Sequence, residues 1–217
     1  MPKYDAVLKK IISPSLHHPL YLGLSLIFLF LFLVIAFLVN QNFFLEYDTN
    51  IRTHFLPITN LSFWKAITIL GNPLFILTLA GITSFVLWRH GHITRLFFLL
   101  LAIGGGGFLG YFFKATILST RPSDAQWLDG LNSFPSGHTI VAFTAYLGAL
   151  LTWHHRIKLF GVFQKFSLHV IAILIMTLLP LSRLAIDVHW ASDVLGGILL
   201  GIGWTLFVFA WYDFRWS

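Results

Sequence analysis

The chain has 217 residues, which allows one domain or at most two small ones. Hydrophobic residues make up 57% and charged residues 10%, where a soluble domain carries about a quarter charged, so a soluble globular protein is excluded and an integral membrane protein expected. The lack of cysteine excludes a disulfide framework, a thiol nucleophile and a thiolate metal site, and the net charge of +6 acquires a meaning only once the basic residues are placed.

The predicted fold is all-α: one polytopic membrane domain over residues 1–217, with about six transmembrane helices. Residues 1–19 carry Lys3, Lys9 and Lys10 and read as a cytoplasmic N-terminal segment, either lying on the membrane surface or frayed. Leu20–Val39 is uncharged and long enough to span; no cleavable signal peptide is expected, because no small-residue cleavage site follows this run. Residues 40–65 are half polar. Phe44, Tyr47, Ile51, Phe55 and Ile58 recur at helical spacing, which predicts an interfacial amphipathic helix with Glu46, Asp48, Arg52 and His54 facing water or headgroups.

Asn72-Pro73 predicts a helix start, and the second span runs from there to Trp88. A basic turn with His90 and His92 follows; no carboxylate lies near enough in sequence to make these a metal site. The third span runs from Leu96 to Lys114 and beyond. Its glycines, Gly104 to Gly107 and Gly110, sit among apolar residues and predict close helix packing rather than a phosphate loop. A turn-rich loop from Ser119 to Pro135 leads to a fourth span, Ser136–Trp153. The fifth covers Phe166–Leu181, with Pro180 near its end. The sixth runs from His189 to Tyr212, with Gly196, Gly197, Gly201 and Gly203 as packing notches.

Six spans put both termini on one side. That side holds Lys3, Lys9, Lys10, Arg89, Arg95, Arg156, Lys158, Lys165 and Arg215, nine of the 14 basic residues, and the positive-inside rule makes it cytoplasmic. The net positive charge is therefore an orientation signal, and nucleic acid is not expected as a partner. Arg52, Lys65, Lys114, Arg121 and Arg183 fall on the opposite, outward side.

Three polar clusters share that outward side within residues 114–193. They are Lys114 with Arg121-Pro122, then Pro135-Ser136-Gly137-His138, then Ser182-Arg183 with His189 and Asp193. Three cations near a membrane surface are costly unless an anion sits among them, and arginine suits phosphate oxygens. Ser136, Gly137 and His138 open a helix, so their N–H groups are expected to be free to meet that anion. Asp193, four residues after His189, is expected one helical turn from its ring, fixing its tautomer. A neutral His189 then attacks phosphorus, and His138 protonates the leaving oxygen. His189 and Asp193 also stand at a metal-ligand spacing, but the fixed cations favour phosphate over a divalent ion. A structural alternative for the whole set is ion pairs such as Arg183–Asp187 tying loops together, and for Asp187 alone that structural role is the one expected.

These residues carry a resemblance to the type 2 phosphatidic acid phosphatase (PAP2) superfamily of membrane lipid phosphatases. Its signature has three parts, K-x6-R-P, P-S-G-H and S-R-x5-H-x3-D, and Lys114 through Arg121-Pro122, Pro135 to His138, and Ser182-Arg183 with His189 and Asp193 fit all three. A weaker likeness extends upstream, over Asp48, Ile51 and residues 67–71. The resemblance implies phosphate binding by Lys114, Arg121 and Arg183, and transition-state stabilisation by Ser136 and Gly137. It implies His138 as general acid, His189 as nucleophile and Asp193 as its orienting partner, with no metal or other cofactor. Vanadium haloperoxidases share the anion site but are soluble.

The expected substrate is a lipid phosphate or diphosphate in the outer headgroup layer. Undecaprenyl diphosphate is favoured, because a compact outward-facing enzyme suits recycling of that carrier; phosphatidylglycerophosphate, phosphatidate and lipid A phosphates are the other candidates. Asp124, Gln126, Trp127, Asp129 and Asn132 are expected near the headgroup. Two other functions fit the same residues: phosphotransfer from a lipid diphosphate to another lipid, and non-catalytic lipid binding or transport. No obligate protein partner is indicated.

Overall fold

The computed structural model describes residues 18–55, 60–122, 132–154 and 161–216. They form eight helices: α1 (His18–Asn40), α2 (Leu45–Phe55), α3 (Leu61–Thr68), α4 (Pro73–Arg89), α5 (Ile93–Thr116), α6 (137–154), α7 (Val162–Ala185) and α8 (Ala191–Trp216). A single 3₁₀ turn, Ile69–Gly71, links α3 to α4, and a wide π-helical stretch, Ala142–Leu147, interrupts α6. The basic segment 1–17 and the basic turn 155–160 lie outside the described residues.

Helix starts follow side-chain chemistry. Asn60 caps α3 by accepting from the Phe63 N–H at 3.2 Å, and Asn72 caps α4 by accepting from Leu74 at 2.9 Å, with Pro73 at the first helical position. The turn between α4 and α5 uses Gly91 at φ 73°, the left-handed region glycine enters without strain.

Four helices, α1, α5, α7 and α8, are long and apolar enough to cross a membrane, and α3 with α4 passes as a fifth span bent by 45°. The sixth expected span, α6, is shorter: its apolar stretch is Gly137–Thr152. It begins inside the protein, where Ser136 and Thr139 are fully buried, so fewer of its residues meet lipid. Pro180 lies within α7 rather than near its end. A membrane helix tolerates the lost N–H when neighbours shield the turn, and α7 therefore carries Ser182 and Arg183 in its last turn.

The amphipathic segment is two helices, not one. The outward face of α2 presents Leu45, Tyr47 and Ile51, while Asp48 is buried and Arg52 half-buried. This reverses the expectation that Asp48 and Arg52 face water. Asp48 turns in because Ser192 offers it two donors, and Arg52 because the Asp187 carboxylate accepts from it twice. Glu46 and His54 are exposed as expected.

The central helix is α8: 61% of its apolar window lies inside the protein, against 17% for α1. Glycines let neighbours reach it. A Cβ on Gly196 would stand 2.4 Å from the Phe134 ring, and one on Gly197 would stand 2.9 Å from the Ser136 carbonyl oxygen. That close approach seats the start of α6 against the start of α8. Phe134, fully buried, also stacks on Phe32 of α1 at 5.8 Å between ring centroids.

The glycine run of α5 divides. Gly105 meets Trp204, Gly106 meets Thr144 and Gly110 meets Ile140, whereas Gly104 and Gly107 have nothing within 4 Å. Arg95, at the start of α5, donates to the Thr152 carbonyl near the end of α6 at 3.2 Å. Lys114 and His138 share a cavity at the other end of the same two helices. Arg95 and Lys114 thus stand at opposite ends of α5.

Candidate active site

The site is built around residues 186–190, which connect α7 to α8. Trp190, in the N-cap position of α8, has no side-chain acceptor. Asp193 in the first turn instead bends its Oδ2 back to the Trp190 N–H at 2.8 Å. Asp48 reaches in from α2: its Oδ1 accepts from Ser192 N–H at 2.9 Å and its Oδ2 from Ser192 Oγ at 2.6 Å. Two carboxylates thus satisfy the helix's leading donors and sit at the favourable end of its dipole.

His189 precedes this cap, so it is not helical. The expected geometry, ring and carboxylate stacked one turn apart on a helix, is corrected, yet the pair still forms: His189 Nδ1 lies 3.3 Å from Asp193 Oδ2, with both residues buried. Asp187 turns the connection, at φ 60°, in a region that aspartate tolerates. The structural role expected of Asp187 is realised with Arg52, which grips its carboxylate through two hydrogen bonds of 2.7 Å.

Residues 118–122 and 132–136 close the site from the opposite side. Arg121 Nη1 donates to the Val188 carbonyl at 2.6 Å and lies 3.5 Å from His189 Nε2; its Nη2 donates to the Asn132 carbonyl at 3.3 Å. The Asn132 amide donates to the Lys114 carbonyl at 2.8 Å. Ser133, fully buried, donates to Asp193 Oδ2 and stands 3.2 Å from His189 Nδ1. Arg183 donates from the last turn of α7 to Thr68 Oγ1 at 2.6 Å.

Lys114, Gly137, His138 and His189 line one cavity of about 310 Å³, which continues along Gly106, Gly107 and Gly110 of α5. Arg121, Arg183, Ser136 and Asp193 are buried around it. The three sequence clusters therefore meet, with one correction. The Ser136 N–H is not free for an anion, because it donates to the Asp193 carbonyl at 3.1 Å. Gly137 and His138 stand in the first turn of α6, where the helix itself supplies no acceptor for their N–H groups. A Cβ on Gly137 would meet open space.

Electrostatics favour a neutral His189. Burial, then the charges of Arg183, Lys114, Arg121 and His138, hold its pKa well below the ordinary histidine value. A neutral ring with its hydrogen on Nδ1 has its lone pair at Nε2, which faces Arg121 Nη1 at 3.5 Å. Among the described residues no group of three or more His, Cys, Asp and Glu side chains gathers in a metal-binding arrangement.

Three contributors carried little or no sequence signal. Ser133 belongs to no part of the signature. Thr68 and Asp48 fall in the weaker upstream likeness, which now has a physical basis: Thr68 holds Arg183, Asp48 holds Ser192, and a Cβ on Gly71 would come within 3.0 Å of the His138 ring. Of the residues expected near the headgroup, Asn132 buttresses Lys114 through its backbone, while Asp124, Gln126, Trp127 and Asp129 lie outside the described residues.

The PAP2 superfamily model matches residues 95–217. Phosphatidylglycerophosphatase B of Bacillus subtilis (strain 168) is 32% identical over 139 residues, covering 63% of this chain and 67% of that protein. A putative undecaprenyl-diphosphatase, YbjG, of Escherichia coli (strain K12) is 29% identical over 137 residues, 58% of this chain and 63% of the relative. The crystal structure of a transmembrane PAP2 type phosphatidylglycerolphosphate phosphatase from Bacillus subtilis superposes with a TM-score of 0.76 at 27% identity, covering 89% of this chain and 97% of that one. The matched stretch contains every expected site residue from Lys114 to Asp193, and on this evidence of sequence and fold the chain belongs to the PAP2 superfamily, as a membrane-embedded phosphatase.

Proposed function

We propose that the chain removes the terminal phosphate of a membrane lipid phosphate or diphosphate at the outer face of the membrane, through a phosphohistidine on His189. The observation that carries this reading is the division of the His189 ring. Its Nδ1 is turned to Asp193 and Ser133, and its Nε2 is left towards Arg121.

The steps follow from the residues present. Lys114, Arg121 and Arg183 bind the phosphate oxygens, and the first-turn N–H groups of Gly137 and His138 add donors as negative charge builds. Ser136 holds the start of α6 in place through its bond to Asp193. Nε2 of His189 attacks phosphorus as the bond to the lipid oxygen breaks, and His138 gives its proton to that oxygen. Water then attacks the phosphohistidine, His138 takes the water's proton, and inorganic phosphate leaves with His189 restored. No step requires a metal.

The outward orientation rests on the nine basic residues assigned to the cytoplasmic side, with six spans counting the bent α3–α4 pair and α6. We favour undecaprenyl diphosphate as substrate, since a compact outward-facing enzyme suits recycling of that carrier and the Escherichia coli relative is named for it. Phosphatidylglycerophosphate, for which the Bacillus subtilis relatives are named, presents the same terminal phosphate. The test is release of inorganic phosphate by purified protein in dodecyl maltoside from each lipid, with EDTA, with vanadate, and with added acceptor lipid. Expected are EDTA-resistant, vanadate-sensitive release without an acceptor, faster from undecaprenyl diphosphate, and loss of release in His189→Ala. Release at the wild-type rate by His189→Ala would refute the mechanism; dependence on an acceptor would make the protein a phosphotransferase.

A further inference from the structure

We propose that Ser133 is a positioning residue for His189: its hydroxyl holds the imidazole as the Nδ1–H tautomer and shares the charge the ring acquires when Nε2 is phosphorylated. This rests on the reading of His189 as nucleophile.

The argument is one of hydrogen counting. A serine hydroxyl has one hydrogen to give and lone pairs to receive with. Ser133 Oγ faces two groups, Asp193 Oδ2 and His189 Nδ1, the latter at 3.2 Å. Oδ2 already accepts from the Trp190 N–H, so it faces Ser133 as an acceptor too and the serine's hydrogen goes to Asp193. Oγ can then face Nδ1 only as an acceptor, and Nδ1 must carry the ring hydrogen. The opposite nitrogen gives the same answer independently. Nε2 faces Arg121 Nη1 at 3.5 Å, a group that only donates, so a hydrogen on Nε2 would oppose it.

Asp193 alone is a divided partner. Its Oδ2 already accepts from the Trp190 N–H at 2.8 Å and from Ser133, and it stands 3.3 Å from Nδ1, no nearer than the hydroxyl does. Phosphorylation of Nε2 makes the ring cationic and strengthens the Nδ1–H as a donor. Two acceptors on that hydrogen stabilise the phosphoenzyme more than the resting ring.

The fold does not depend on the hydroxyl. The Ser133 N–H donates to the Ser119 carbonyl at 2.7 Å, and Phe134 beside it is wedged against Gly196 of α8. Removing Oγ therefore separates positioning from folding. Groups other than Ser133 also act on His189: Asp193 on α8 through its contact with Nδ1, and the charges of Arg183 on α7, Lys114 on α5, Arg121 after α5 and His138 on α6, with Asp48 on α2 acting on Asp193. None of these changes in a Ser133→Ala protein.

The experiment compares wild type, Ser133→Ala and His189→Ala on dioctanoyl phosphatidate in dodecyl maltoside, measuring kcat, KM, the acid limb of kcat/KM and thermal melting. Because the His189 pKa is held down, the wild-type limb should lie below the ordinary histidine value of about 6.5. Ser133→Ala should melt with wild type and keep its KM, and should lose kcat on the order of 10- to 100-fold. Its acid limb should move further down, since the lost acceptor stabilised the charged ring more than the neutral one. A kcat within about twofold of wild type, an unmoved limb, or a loss that accompanies a lowered melting temperature would each overturn the proposal. If His189→Ala is inactive while Ser133→Ala behaves as wild type, the positioning role alone fails. If His189→Ala is active, the nucleophile reading fails with it.

Discussion

The connection between α7 and α8 is gripped from two sides by different kinds of contact. On the inner side Ser133, Asp193 and His189 bond side chain to side chain, and all three are buried. On the outer side α2 supplies Asp48 to the Ser192 N–H and hydroxyl and Arg52 to Asp187, and the Arg52–Asp187 pair is partly exposed, at 35% and 23% of side-chain surface. The inner grip acts on the atoms proposed to react. The outer grip acts on the backbone that presents them. Losses on the inner side should therefore appear in rate, and losses on the outer side in stability and order.

The largest effect should come from Asp193→Asn. The amide oxygen in the place of Oδ2 can still accept from Trp190, so the cap of α8 survives, but the negative charge beside Nδ1 is gone. Turnover should fall on the order of 10³- to 10⁴-fold, measured as phosphate release, with melting near that of wild type. A rate close to wild type would break the division drawn here.

Asp48→Ala should show the reverse emphasis. It leaves the buried Ser192 N–H and hydroxyl without their acceptors, at a cost of about 1–3 kcal/mol in stability. It also removes a negative charge from the N-terminal end of α8. Thermal melting in detergent should fall clearly, while turnover at low temperature falls far less than for Asp193→Asn. A rate loss equal to that of Asp193→Asn with unchanged melting would place Asp48 among the reacting groups instead.

Most of this arrangement could be read from the chain because the long apolar runs fix which polar residues share an end of the bundle. Lys114, His138 and His189 stand at run edges, and the alternation of helix direction brings those edges together. Side chains that act across the fold could not be read in the same way. Arg52 and Asp187 are 135 positions apart, and Asp48 and Ser192 are 144 apart. Helical periodicity around Asp48 reports only that one face is polar, not which of its polar residues meet partners on other elements. Ser133 is a small polar residue in a turn-rich loop, where serine is ordinary. The last helix is expected from His189 but starts at Ala191: Trp190 is not a usual N-cap residue, and the cap comes from Asp193 and Asp48, which no local pattern announces.

The smallest effect, and the finest probe of the outer grip, is Arg52→Ala. The guanidinium makes two 2.7 Å bonds to Asp187, a geometry that lysine cannot reproduce. Yet the pair is partly solvated, so its removal should cost only about 0.5–1 kcal/mol. Asp187 holds the turn that leads to His189, and loosening that turn widens the range of ring positions without removing any reacting group. Turnover should fall a few-fold, roughly the factor such an energy allows, with the acid limb of kcat/KM unmoved, because Arg52 is not among the charges that act on His189. Exposed charge pairs are also screened by salt, over a Debye length of about 3 Å at 1 M. High salt should therefore bring the wild-type rate towards that of Arg52→Ala while leaving the variant itself little changed. If salt lowers both equally, its action lies at the phosphate site, and the Arg52–Asp187 pair contributes nothing to presenting His189.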